Sequence, residues 1–181
     1  MASDMYVERL KPDANICDAY FDLIKLKIGK WSMAKAGGVT KDHFLILTPP
    51  SQNVEISGKH KDCASFSLFD DRQEEHEFGE KLKQIVPFDA YTNGIVYPPM
   101  SYMPWHTNSD VAGYRTYYSY TLKESVFAWK CPDTGEIKLD YDDYGWTCRR
   151  FKIINEPPYL WHTIWTEGLR FAFGFNTRDK H

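Results

Sequence analysis

Apolar positions recur at helical spacing twice in the first half of the chain. Residues 18–29 (DAYFDLIKLKIG) bring Tyr20, Leu23, Ile24 and Ile28 near one face, with an acidic start and a lysine-rich end that suit the helix dipole. Residues 74–86 (EEHEFGEKLKQIV) do the same with Phe78, Leu82, Ile85 and Val86, and Pro87 stops the helix. The charge run that leads into it reads as a solvated approach. Residues 43–48 (HFLILT) form an unbroken apolar run closed by Pro49-Pro50 and predict a short buried strand, and residues 65–69 predict another. From Gly94 onward the texture changes. Short stretches rich in Val, Ile, Thr and aromatics alternate with Gly, Pro and Asp turn signals, and predict strands at 94–97, 101–107, 115–122, 125–130, 136–139, 149–155, 160–165 and 169–176. That density of strands predicts a compact antiparallel sandwich or barrel. No linker interrupts the chain, so residues 1–181 read as a single domain. Residues 94–176 form its β-core, and residues 1–93 supply helices and flanking strands packed outside it.

Composition narrows the class. Trp, Tyr and Phe together make 16% of the 181 residues, enough apolar area to exclude a disordered chain. A net charge of −3 and a pI near 6.1 argue against a basic platform for duplex nucleic acid, whose backbone demands many cations. Single-strand binding by stacked aromatics is not excluded on that ground. Cys17, Cys63, Cys131 and Cys148 form no CxxC pair, which excludes a zinc ribbon or a thioredoxin-type site. The first residues are charged rather than apolar, and no apolar run approaches the roughly 18 residues of a membrane span. The expectation is a cytoplasmic protein, in a host cell if the source is viral, with free thiols.

One tripeptide occurs twice: Trp105-His106-Thr107 and Trp161-His162-Thr163, each within an expected strand. The other histidines, His43, His60, His76 and His181, lack such a setting. A single strand histidine is ordinarily a hydrogen-bonded core or surface residue, whereas two in matched settings point to shared chemistry. Each is followed by an arginine that opens an aromatic strand, Arg115 nine residues after His106 and Arg170 eight residues after His162. This order resembles the Fe(II)/2-oxoglutarate-dependent oxygenase superfamily, in its prolyl-hydroxylase-like branch, over residues 94–176. The phrases WHTNSD and RFAFGF are also similar to those of small oxygenases carried by bacteriophages of cyanobacteria. The resemblance implies a mainly β fold, a double-stranded β-helix or jelly roll with N-terminal buttressing helices. It implies that His106 and His162 hold Fe(II). It implies that Arg170, a planar and permanently charged fork, binds the far carboxylate of 2-oxoglutarate, helped by a tyrosine hydroxyl from Tyr118 first, or from Tyr97 or Tyr120. The implied reaction uses O₂ to hydroxylate a C–H bond while 2-oxoglutarate is decarboxylated to succinate. The implied substrate is a peptide, an amino acid or another small molecule.

The sequence departs from the family pattern at one point. The usual carboxylate ligand position holds Asn108, nearly isosteric with Asp but neutral, and so a poorer ligand for a dication. Four readings stay open. Two histidines hold the metal with Asn108 weakly bound or not at all; Asp110 supplies the carboxylate from further along the turn; a halide takes the place, as in halogenase-like relatives; or catalysis is lost and the fold only binds. A cupin-like metal protein that does not use 2-oxoglutarate is a further alternative, set against the lack of need there for Arg170. Among weaker features, Cys131 and Cys148 read as two free core thiols. Asp140, Asp142 and Asp143 read as a solvated turn without the pattern of a calcium loop. Arg149 and Arg150 read as surface residues, with a place facing the site opening as the alternative. Trp105 and Trp161 are expected to face away from the interior if their histidine neighbours face in.

Overall fold

Alternating apolar positions bury one face of each strand, and two such sheets closing on each other hide both inner faces. That is the arrangement here. In a computed structural model that describes residues 6–31, 34–51, 65–109 and 112–177, ten strands form two antiparallel sheets with three helices outside them. The strands are β1 (Val7–Leu10), β2 (Phe66–Ser67), β3 (Ala90–Tyr97), β4 (Ser101–His106), β5 (Gly113–Thr121), β6 (Ser125–Lys130), β7 (Ile137–Tyr141), β8 (Gly145–Ile153), β9 (His162–Thr166) and β10 (Arg170–Thr177). The larger sheet has the order β1-β8-β5-β10-β3-β2 and the smaller β4-β9-β6-β7. From β3 to β10 the chain alternates between the sheets, except at the β6–β7 hairpin within the smaller sheet, in the jelly-roll manner of a double-stranded β-helix. All eight strands expected after residue 94 are present, with ends shifted by a few residues.

Two of the helices buttress the larger sheet. Helix α1 (Ala14–Trp31) starts earlier than its apolar face suggests, because the Asp13 carboxylate accepts the backbone N–H groups of Asn15 and Ile16 at 3.0 and 3.1 Å. Its residues Ile16, Tyr20, Leu23 and Ile24 are buried with Leu82 of α3 (Arg72–Lys83) against Phe171, Phe173 and Phe175 of β10. Tyr20 stacks on Phe173 with ring centroids 3.8 Å apart. Ile28, expected on this face, is exposed. Asp71 caps α3, accepting the Glu74 N–H at 2.9 Å. No described helix is long and apolar enough to cross a membrane.

Two expectations for the first half are corrected. The apolar run at 43–48 is not a strand. Thr40 caps a short helix, α2 (Lys41–Leu45), by accepting the His43 N–H at 3.2 Å. Phe44 is its one buried residue, and Leu45 and Ile46 remain exposed. A short apolar run does not distinguish strand from helix by its period, and here the cap decides. The second correction is β1, unmarked in the charged N-terminal stretch. It pairs with the edge of β8 from Val7↔Phe151 to Leu10↔Cys148.

Alternation divides the β-core into three apolar regions. Outward residues of the larger sheet meet α1 and α3. Outward residues of the smaller sheet, Trp105, Val126, Ala128, Trp161 and Trp165, meet Phe44 of α2 and Val39 and Leu47 beside it. Inward residues of both sheets, among them Tyr97, Met103, Phe127, Trp129, Phe151, Ile164 and Ala172, fill the space between. Trp105 and Trp161 therefore face out, as their histidine neighbours require, and lie under α2 and the segment around it.

Candidate functional site

The interior is apolar except at two places, and the first is built by a break in pairing. Between β4 and β9 the register runs Ser101↔Thr166 to Met103↔Ile164, then resumes at His106↔His162. One extra residue in β4 is thus accommodated at Pro104-Trp105, where proline has no N–H to give to the ladder. In an unbroken strand His106 would lie on the face opposite Met103. The bulge turns it inward, directly across from His162. The two rings lie 4.2 Å apart at 57°.

Backbone carbonyls fix both tautomers. His106 Nδ1 lies 2.8 Å from the Pro104 oxygen and His162 Nδ1 lies 3.2 Å from the Leu160 oxygen. A carbonyl only accepts, so each Nδ1 carries a proton, and in a neutral ring the lone pair then lies on Nε2. Asn108 Nδ2 donates to His162 Nε2 at 2.8 Å. His162 stacks on Phe127 and packs at a tilt against Phe151, with centroids at 5.8 and 4.9 Å. Burial in this wall pushes its pKa well below the ordinary imidazole value, and nearby His106 and Arg115 push the same way. Arg115, buried on the inward face of β5, donates through Nε to Asn176 Oδ1 at 2.8 Å. Among the described residues no group of three or more His, Cys, Asp or Glu side chains gathers in the manner of a metal site. Asp110, the alternative carboxylate, lies outside the described residues, as do His60, His181 and Cys63.

The second polar place is at the start of β10. Arg170 is 2% exposed, its guanidinium carbon 5.5 Å from the centre of the Tyr97 ring. Its Nε donates to Asp142 Oδ2 at 2.8 Å, and its Nη1 is buried without a hydrogen-bond partner. Asp142 Oδ1 accepts Arg149 Nη1 in a close contact and Ser119 Oγ at 3.4 Å. Burial alone would raise the Asp142 pKa, but the guanidiniums of Arg170 and Arg149 outweigh it and hold the carboxyl well below the usual range. Arg149 donates onward through Nε to Asp140 Oδ2 at 2.5 Å and lies over the Phe127 ring at 5.4 Å. Phe127 thus touches both His162 and Arg149, which places the two polar groups along one interior wall.

Several expected placements change. Tyr118 and Tyr120 stand on the helix-facing side of β5, where Tyr118 accepts the Asp13 N–H at 3.4 Å and contacts Tyr20. They do not share a face with Arg170, because β5 alternates and its inward positions are Arg115, Tyr117 and Ser119. Of the three tyrosines expected at Arg170, Tyr97, paired with it across β3 and β10, is the one on the inner face. Asp142 is not in a solvated turn: its side chain is wholly buried between two arginines. Arg149 is buried too, whereas Arg150 is partly exposed with Glu8. The signal for Arg149 was available, since in CRRFKI strict alternation puts it on the face of Phe151 and Ile153. Cys17, Cys131 and Cys148 are free, buried thiols, as expected of the last two.

No protein-family model and no curated protein sequence matches the chain. Solved structures with a similar chain path include a prolyl hydroxylase from Trichoplax adhaerens, in complex with a hypoxia inducible factor oxygen degradation domain peptide fragment. It is 10% identical with a TM-score of 0.48, over 99% of this chain and 86% of that one. They also include a Pseudomonas putida prolyl-4-hydroxylase, 10% identical with a TM-score of 0.49, over 98% of this chain and 95% of that one. At such identity the likeness is to the fold alone, and function is read from this chain's own residues.

Proposed function

We propose that this protein is an Fe(II)- and 2-oxoglutarate-dependent oxygenase that hydroxylates a C–H bond of a peptide, an amino acid or another small molecule. The observation that supports it is the inner face itself: two imidazoles paired across one ladder with both Nδ1 atoms turned to backbone carbonyls, and a buried arginine nitrogen with no partner on the same interior. The donor set suits a divalent iron through nitrogen, and the bare Arg170 Nη1 suits a carboxylate. His106 and His162 would hold the metal, with Asn108 beside it contributing a neutral amide or leaving the position to Asp110. The metal and 2-oxoglutarate together supply activation of O₂ coupled to decarboxylation of the co-substrate to succinate.

The chain's own contributions are placement and shelter. The Pro104 and Leu160 carbonyls hold the imidazole planes and keep protons off Nε2. Phe127, Phe151 and Met103 line the interior and exclude water. Arg170, with Tyr97 beside it, would hold the co-substrate's far carboxylate. The buried free thiols Cys17, Cys131 and Cys148 suit a reducing, cytoplasmic compartment.

The hydrogen bond from Asn108 to His162 Nε2 favours a second reading, a binding module on the same fold without turnover, because it occupies a ligand nitrogen. The discriminating experiment is an anaerobic titration with Fe(II) and 2-oxoglutarate, followed by admission of air. The oxygenase reading expects a visible metal-to-ligand charge-transfer band and then succinate. Neither band nor succinate overturns it, and a band without succinate identifies the binding module.

A further inference from the structure

A guanidinium buried beside a carboxylate is nearly neutral as a pair, so a buried arginine already paired has little charge left for a ligand. Arg170 is paired through Nε with Asp142, a carboxylate with no exposed side-chain surface. Taken alone, that pair is a poor anion site. It is not alone. Asp142 is shared with Arg149, which also donates Nε to Asp140 Oδ2 at 2.5 Å and Nη2 to the Asp140 carbonyl at 3.0 Å. Asp140 is shared in turn with Arg9 of β1, which donates from Nε at 3.1 Å and Nη2 at 2.9 Å. Arg9 ends the series at the surface, where its Nη1 also meets the exposed Asp143 at 2.7 Å.

The order is Arg9, Asp140, Arg149, Asp142, Arg170, with charges alternating from the sheet edge into the interior; Asp143 balances the count at the surface, but the interior end holds two buried arginines, Arg149 and Arg170, around one wholly buried carboxylate, Asp142. Every donor nitrogen of Arg149 is taken up by Asp140 or Asp142, whereas Arg170 keeps one buried nitrogen, Nη1, without a partner. The unmet positive charge at the buried end of the series is thus presented to the interior at Arg170 Nη1.

We propose that Asp142 and Arg149 are positioning residues that set the strength of the carboxylate site at Arg170 through this alternating chain, Arg149 by drawing Asp142 away from Arg170 and Asp142 by fixing which edge of the guanidinium faces the ligand. The proposal rests on the reading of Arg170 as a carboxylate anchor. It carries a sign rule that packing alone does not produce. Removing Arg149 leaves Asp142 to Arg170 alone, neutralises the site and weakens anion binding. Removing the Asp142 charge adds a net positive charge and strengthens it. Both changes destabilise the fold: loss of the Asp142 charge leaves two buried guanidiniums without their shared counter-charge, and loss of Arg149 leaves Asp142 Oδ1 with only the long Ser119 contact.

The test is calorimetric titration of 2-oxoglutarate, without O₂ and with Mn(II) as a redox-quiet metal, into the wild type, Arg149→Met, Asp142→Asn and the double variant, with melting temperatures recorded in parallel. The expected result is a lower melting temperature for both single variants. Affinity should fall about tenfold in Arg149→Met, rise several-fold in Asp142→Asn, and return toward wild type in the double variant. Shifts of the same direction in both single variants, or no shift in either, overturn the proposal while leaving the carboxylate anchor standing. No binding to the wild type overturns both. Should the buried variants not fold, Arg9→Met carries the test from the half-exposed end of the chain. It must weaken 2-oxoglutarate binding by about twofold, and an unchanged affinity overturns the proposal.

Discussion

At the scale of single residues, buried polar groups decide most. Tyr20 is wholly buried, stacked on Phe173, and its hydroxyl has no hydrogen-bond partner. A sealed hydroxyl that has lost its water costs free energy that nothing here returns. Tyr20→Phe is therefore expected to raise stability by about 1 kcal/mol in urea unfolding; a loss of that size would mean the hydroxyl is satisfied. His162 carries the opposite liability. Its pKa is held well below the ordinary imidazole value, first by burial, so the folded state keeps it neutral. An unfolded chain protonates it below about pH 6.5. The unfolded state then binds more protons, so stability of the metal-free protein falls as pH drops below that value and continues to fall down to the depressed folded pKa. The slope contributed is at most about 1.4 kcal/mol per pH unit. Melting temperatures measured between about pH 7 and 5 check this, and His162→Gln should flatten the profile in that window.

At the scale of elements, the smaller sheet depends on what covers it. The segment before α2 is bonded to the start of β4, with Gly37 N–H donating to the Pro99 oxygen and Val39 N–H to the Met100 oxygen, both at 2.8 Å. From there Val39 and Leu47 accept the indole N–H groups of Trp165 and Trp105 at 2.8 and 3.2 Å. A side chain at Gly37 would meet the Met100 oxygen and the Ser101 Cβ at 2.8 Å, and backbone cannot yield as a flexible side chain can. Gly37→Ala is expected to lower stability by about 1–3 kcal/mol in denaturant unfolding, with tryptophan fluorescence reporting the loosened cover. The strand pattern of β3 to β10 was legible in the sequence because half-buried strands enforce a period of two. The helix at 41–45 was not, because its period is too short to distinguish and its cap lies outside the apolar run. β1 was not, because an edge strand of mixed burial carries little apolar signal.

At the scale of the whole molecule, the candidate site joins the two sheets. Both histidines stand on the smaller sheet and Arg170 on the larger. A metal with a co-substrate reaching Arg170 would tie them together, and a ligand that binds only the folded state raises its melting temperature by mass action. Mn(II) and 2-oxoglutarate together are expected to raise it more than Mn(II) alone. Arg170→Ala should erase the increment due to 2-oxoglutarate and leave that due to metal. Equal increments in both proteins would refute Arg170 as the anchor.

The sequence by itself determined the local alternation, the two matched histidine strands and the arginine that follows each, because these depend on neighbours within a few residues. It also left its mark on Arg149, whose inward face follows from its position beside Phe151. Only the tertiary structure decided that Tyr97 and not Tyr118, the first expectation, shares a face with Arg170, since faces on different strands are related only once the strands are paired. Only it turned His106 inward, because a bulge is a property of two strands and not of one. And only it converted the acidic turn at 140–143 into a buried counter-charge, because whether a carboxylate meets water or two arginines depends on chain segments far apart in sequence.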